Sequence, residues 1–180
     1  MNRCFWVNPN NPVYIKYHDT EWGRPSYDDR HLFEMLVLES FQAGLSWECI
    51  LNKREAFKKA YDNFDVLKVS NYNSSKVEEL YHNKDIVRNK RKILASIENA
   101  KVFLGIQKEC GSFSNYIWSF TNNKIIKRTN RENISSNELS DKISLDLKRR
   151  GMSFVGTTII YSYLQAIGII NDHDLDCDFK

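Results

Sequence analysis

The sequence predicts an all-helical fold. Apolar residues recur at helical spacing along almost the whole chain, period-two alternation is scarce, and capping residues and glycines punctuate the periodic stretches. Tyr27–Ala43 carries Leu32, Phe33, Leu36 and Val37 behind Asp28 or Asp29 as a cap, and it stops at Gly44. A further helix starts from Ser46. Ser75-Lys76-Val77-Glu78 has the form of a capping box. Ile93, Ile97, Ala100 and Leu104 repeat at i, i+4, i+7 and i+11, predicting one long helix over Asn89–Gln107. Ser112 caps a short aromatic helix through Phe113, Tyr116, Ile117 and Trp118. Leu139, Ile143 and Leu147 line a helix that ends at Gly151, and another begins at Thr157-Thr158. Asn122–Ser136 is polar, basic and aperiodic, and it predicts an exposed loop.

Composition bounds the function. With 42% hydrophobic and 27% charged residues, 7 Gly and 3 Pro, the chain is neither collagen-like nor of low complexity. A protein of this mass exposes roughly 9,000 Å² of the roughly 31,000 Å² of its extended form, enough burial for one core without disulfides. No internal repeat or long linker divides residues 1–180, which predicts a single domain. The net charge of +3 permits nucleic acid as a partner without demanding it. No apolar stretch follows Met1 in the manner of a secretory signal, and no run is long enough for a bilayer. The expected setting is therefore the cytoplasm, without a membrane partner, where Cys4, Cys49, Cys110 and Cys177 are reduced thiols or metal ligands.

Three groups of residues could carry chemistry. Cys4 and His18 lie near one end of the sequence and His173 and Cys177 near the other. Together they could form a closed, structural zinc site with two sulfur and two nitrogen ligands, or they could be buried thiols and surface histidines. Trp6, Tyr14, Tyr17, Trp22 and Trp47, with Glu39, could line a receptor for a flat cationic heteroaromatic, held by cation–π attraction and one carboxylate. The same residues are compatible with ordinary aromatic packing and a solvated glutamate. Lys148-Arg149-Arg150-Gly151 leads through Gly156 to Thr157-Thr158, the physical form of a helix-hairpin-helix whose free amides bind phosphate, or a plain connector between two core helices. Arg88-Asn89-Lys90-Arg91-Lys92 adds a basic run of the kind that is usually a helix's wet face.

Several strings occur together and in order. They are Arg3-Cys4 with Trp6, Tyr14-Ile15-Lys16-Tyr17-His18-Asp19 leading to Glu21-Trp22-Gly23, and Leu32-Phe33-Glu34-Met35. Leu38-Glu39 with Gln42-Ala43-Gly44-Leu45-Ser46-Trp47, Phe154-Val155-Gly156-Thr157-Thr158, and Asn171-Asp172-His173 with Cys177 follow. Over essentially the whole chain the sequence resembles the bacterial 3-methyladenine DNA glycosylase I family, an outlying branch of the helix-hairpin-helix glycosylases. Phe5, where a small residue is expected, is a departure from the family pattern.

The resemblance implies a helix-hairpin-helix glycosylase-like fold, with one structural Zn2+ per chain joining the terminal segments through Cys4, His18, His173 and Cys177. It implies that Glu39, Tyr17 and Trp47 hold the excised base, Glu39 in the catalytic role, with Trp6, Tyr14 and Trp22 as further walls. Gln42, Gly44 and Leu45 match a loop that enters the duplex, and Gly151, Gly156 and Thr157 match the phosphate-binding anchor. The implied partner is double-stranded DNA containing alkylated adenine. The implied activity is hydrolysis of the N-glycosidic bond by a monomeric, monofunctional enzyme that releases free 3-methyladenine in base excision repair. No lysine nucleophile is suggested, so no lyase step is expected. No acidic residue lies in Ile159–Ile170, and Asp172, the nearest, is a candidate supporting partner of His173. The rival from another class is a non-catalytic, zinc-stabilised helix-hairpin-helix DNA-binding module.

Overall fold

The protein is described by a computed structural model over residues 1–129 and 134–180. Among the described residues ten α-helices run in chain order: α1 (Pro12–Thr20), α2 (Asp29–Gln42), α3 (Trp47–Asn52), α4 (Arg54–Ala60), α5 (Val66–Ser70), α6 (Ser74–His82), α7 (Lys90–Cys110), α8 (Phe113–Ser119), α9 (Glu138–Arg149) and α10 (Thr157–Ala166). The helical reading holds, and the caps explain most boundaries. The side chains of Asp28, Ser46, Asn89 and Ser112 accept backbone N–H bonds at the starts of α2, α3, α7 and α8. The capping box expected at Ser75 is not the start of α6. Asn73 caps that helix by accepting from the Lys76 amide, which leaves Ser74 and Ser75 inside the first turn. A capping box does occur at Asn137, where Ser140 returns the bond at the start of α9.

One departure from the all-helical expectation positions the site. β1 (Ile126–Lys127) pairs in parallel with β2 (Ile170–Asn171), Ile126 opposite Ile170. This pins the first half of the expected 122–136 loop to the segment after α10; residues 130–133 of that loop lie outside the described residues.

The long helix α7 is the central beam, packed against α2, α5, α6 and α8, while α10 packs on α2 and α9. Leu32, Phe33 and Leu36 of α2, Ile93, Ala100 and Phe103 of α7, and Ile160 and Leu164 of α10 are all fully buried. The surface of the described residues, 9252 Å², agrees with the area expected from mass. Arg54 of α4 ties Glu34 of α2 (Nε to Oε1, 2.8 Å) to Glu21 after α1 (2.7 Å). Among the described residues, no helix is long and apolar enough to cross a membrane.

Candidate active site

A cavity of ≈260 Å³ opens between α1, α2, α3, α10 and the segment around Arg128. It brings together Trp6, Tyr14, Tyr17, Trp22, Glu39 and Trp47, all six residues of the aromatic receptor. Asn11 caps α1 and also donates from Nδ2 to Glu48 Oε1 (2.8 Å), which Asn8 reaches as well (2.7 Å). These bonds lock the start of α3 to the start of α1, so Trp47 meets Tyr17 with ring centroids 5.4 Å apart. On the other side Trp6 packs against Tyr14 (5.3 Å) and edge-on against Trp22 (4.8 Å).

Glu39 comes from the buried face of α2 and is 3% exposed. Its Oε2 and the Nε1 of Trp47 are buried with no hydrogen-bond partner among the described residues. Polar atoms that are buried and unsatisfied are rare and costly, so two on one cavity wall mark a place where a ligand supplies the missing bonds. Burial alone pushes the Glu39 carboxyl up to about 8. Tyr17 rises well above the phenol range, chiefly by burial and then by the Glu39 charge, and burial raises Tyr14 to about 12. The alternative of a solvated Glu39 is excluded by its burial.

The loop after α2 continues the site. Gly44 takes φ +83° and faces open space, and Leu45 beside it is 41% exposed. A second groove of ≈180 Å³, lined by Gln42, Gly44, Leu45, Thr158 and Ser162, joins this loop to α10 and shares Glu39 with the first cavity. In the connector from α9 to α10, Gly151 has φ +104°, and a side chain on Gly156 would likewise meet open space. α10 starts at Thr157 without a side-chain cap. The Thr157 hydroxyl is engaged within the fold, donating to Asp141 Oδ1 (2.6 Å) and pairing with Ser140 Oγ (2.8 Å), so its backbone amide is the group left for an anion.

Cys4, His18 and Cys177 place their ligand atoms within 4.8 Å of one another, all buried. His173 is not in that tight trio, but its ring lies 5.0 Å from the His18 ring and its Nε2 is buried without a partner among the described residues. The outer nitrogens are held: His18 Nδ1 by Asp19 (2.8 Å), itself paired with Arg3, and His173 Nδ1 by Asn171 Oδ1 (2.8 Å). That leaves both Nε2 atoms for the interior, the orientation that metal-binding histidines adopt. His173 is thus supported by Asn171, and Asp172 is not its partner. The Trp22 ring sits 4.6 Å from His173 and the Trp6 ring 5.3 Å from His18, so this cluster backs the cavity wall.

Besides Phe5, four lining residues have no role in the sequence reading, Arg128, Ile134, Ser162 and Gln165, while Asp172, expected beside His173, lines the cavity instead. Asp172 accepts from Gln165 (2.7 Å) and Tyr161 (3.2 Å), and Arg128 lies 3.6 Å from its other oxygen and 3.0 Å from Asp174. The β1–β2 pairing brings them together, and short parallel pairing across the chain leaves no local pattern to read. Phe5, outside every assigned role, also lines the cavity while 74% exposed.

The chain is similar over nearly its full length to several known proteins. DNA-3-methyladenine glycosylase 1 of Escherichia coli (strain K12) is 43% identical over 180 residues, covering 98% of this chain and 96% of its own length. DNA-3-methyladenine glycosylase of Haemophilus influenzae is 40% identical, covering 99% and 97%. The solved 3-methyladenine DNA glycosylase I of Staphylococcus aureus, studied for its recognition of 3-methyladenine, superimposes with TM-score 0.95 at 36% identity, covering 100% of this chain and 97% of its own. The methyladenine glycosylase family matches residues 6–180, and the chain belongs to that family.

Proposed function

We propose that the protein is a monofunctional DNA glycosylase that hydrolyses the N-glycosidic bond of 3-methyladenine in alkylated double-stranded DNA. The observation that carries this reading is Glu39, a buried carboxyl with an unpartnered oxygen in an aromatic cavity. An adenine methylated at N3 within DNA is a cation. It supplies the counter-charge that Glu39 lacks, a flat face for Tyr17 and Trp47, and an amine to donate to the carboxylate. Trp6, Tyr14 and Trp22 complete the walls.

The positive ring makes the base a good leaving group, so little acid catalysis is needed. The target nucleotide is extruded at a cost of a few kcal/mol, lower for a damaged pair. Gln42, Gly44 and Leu45 fill the gap it leaves, and the amides of Gly156 and Thr157, reached through the turn at Gly151 whose own amide is bonded to the Lys148 carbonyl, hold a phosphate. The bond from the sugar C1′ to N9 breaks with its electron pair going to the base, which departs as neutral 3-methyladenine. Water adds to the oxocarbenium-like sugar and releases one proton, leaving an abasic site. The cationic base favours the ionised form of Glu39, whose proton passes to water as the base binds, and the carboxylate stabilises positive charge first on the base and then on the sugar.

Cys4, His18, His173 and Cys177 would hold one Zn2+. The donor set suits it, and the unpartnered Nε2 of His173 supports a fourth ligand position beside the trio. Bound there, the metal would staple the two terminal segments and stiffen the wall made by Trp6 and Trp22.

Chromatography of bases released from methylated duplex tests this reading. Free 3-methyladenine is the expected product. A protein that binds the duplex and releases nothing is instead a DNA-binding module.

A further inference from the structure

Lys92 is the last cation of the Arg88–Lys92 run, and unlike a wet-face lysine it is buried, 6% exposed. From α7 its Nζ donates to the carbonyls of Phe41 (2.8 Å) and Ala43 (2.6 Å), at the last turn and cap of α2, and it lies 5.9 Å from the centre of the Phe154 ring. Among the described residues no acidic side chain pairs with it. A cation on the closing carbonyls of a helix complements the dipole there. This particular helix end carries Glu39 and Gln42 and runs directly into Gly44-Leu45.

Seven residues further along α7, Asn99 is buried too, and it clamps Ser153 from both sides. Its Nδ2 donates to the Ser153 carbonyl (2.9 Å) and its Oδ1 accepts from the Ser153 amide (2.9 Å). Seven residues are about two helical turns, roughly 10.5 Å, so Lys92 and Asn99 leave α7 from one face. Ser40 of α2 adds a direct link, its hydroxyl lying 3.1 Å from the Phe154 carbonyl. The 42–45 turn and the hairpin before α10 are thereby fastened to one face of a 21-residue helix. Phe154, held at φ +56°, lies between the two fastenings.

Resting on the glycosylase reading, we propose that Lys92 is a positioning residue that fixes the 42–45 turn relative to the hairpin. Leu45 then enters the duplex in register with the phosphate held at Gly151–Thr157. Lys92 does not line the base cavity, so it acts through the turn and not on the base.

Two variants test it: Lys92→Met, which keeps the stem and removes the donor, and Lys92→Arg, which keeps the cation. Three readouts are taken. They are kcat and KM for 3-methyladenine release from methylated duplex, fluorescence of 2-aminopurine placed opposite a tetrahydrofuran abasic analogue, and quenching of tryptophan fluorescence by free 3-methyladenine. In Lys92→Met the affinity for free base is unchanged, while kcat and the 2-aminopurine response fall by about tenfold or more, the scale of a displacement under 1 Å. Lys92→Arg restores most of both. Wild-type kcat and 2-aminopurine response in Lys92→Met overturn the proposal, and so does a parallel loss of free-base affinity, which marks a general loosening of the fold. If Lys92→Met does not fold, Lys92→Gln is read by the same criteria. Should the wild-type protein release no base, the glycosylase reading fails, while the 2-aminopurine response on the uncleavable duplex still decides the role of Lys92.

Discussion

Glu39 and Trp47 line one cavity, and each carries a buried polar atom, an acceptor and a donor, that no described residue satisfies. A pocket closed around an apolar ligand would not leave this pair. A flat ring bearing both an amine and an unprotonated nitrogen answers both atoms.

The Glu39 carboxyl makes folding depend on pH. Its ordinary value is near 4.5 and burial raises it to about 8 in the fold. Between those values the folded chain holds one more proton than the unfolded one, so this group lowers stability progressively as pH rises through the interval, by up to about 1.4 kcal/mol per pH unit. Glu39→Gln removes that slope. Denaturant titrations at pH 5, 6, 7 and 8 are expected to show the variant gaining on the wild type at each step. A constant difference means that the carboxyl is ionised in the free protein.

Trp47→Ala removes a stacking face and the unpaired donor together. Base–aromatic stacking is worth about 1–3 kcal/mol, so affinity for free 3-methyladenine falls by roughly 5- to 150-fold, read by calorimetry. Folding is little affected because Trp47 is only partly buried.

Much of this could be read from the sequence. The caps at Asp28, Ser46 and Ser112 and the stop at Gly44 are local signals, and the helices obey them. The aromatic receptor was legible as a set of residue types, but not the burial that fixes the protonation of Glu39, because α2 is buried along most of its length. Arg128 was invisible, since the β1–β2 pairing brings it to the cavity from far along the chain, and Asp172 was legible as an acid but expected beside His173, when Gln165 and Tyr161 of α10 hold it at the cavity. Lys92 did carry a signal: Lys92, Ser96, Asn99 and Phe103 share one buried helical stripe. A run of neighbouring cations masked it.

Metal content tests the cluster at the chain ends. One zinc per chain is expected by elemental analysis, and Cys177→Ala is expected to lose it. Removing a ligand from a structural site lowers the melting temperature by roughly 5–10 °C, equivalent to about 2–3 kcal/mol for a domain of this size. Protein that folds with full stability and no metal contradicts the staple.

Gly168→Ala is expected to unfold the protein. At φ +75° an added Cβ would stand 2.1 Å from the Arg24 carbonyl carbon and 2.4 Å from Pro25 N, both backbone atoms that cannot rotate away. The cost exceeds about 4 kcal/mol, in the range reserved for overpacking and backbone strain combined. Circular dichroism of the purified variant decides it; a cooperative melt near that of the wild type refutes it.

The most direct test of the account is release of free bases from methylated duplex by the wild type, Glu39→Gln and Trp47→Ala, resolved by chromatography, with folding checked in each. The account predicts that the wild type frees 3-methyladenine and leaves 7-methylguanine in the DNA, and that both variants lose most of that release. Equal release by wild type and variants, or none by a wild type that still binds the duplex, contradicts the assignment of this cavity as the site of base excision.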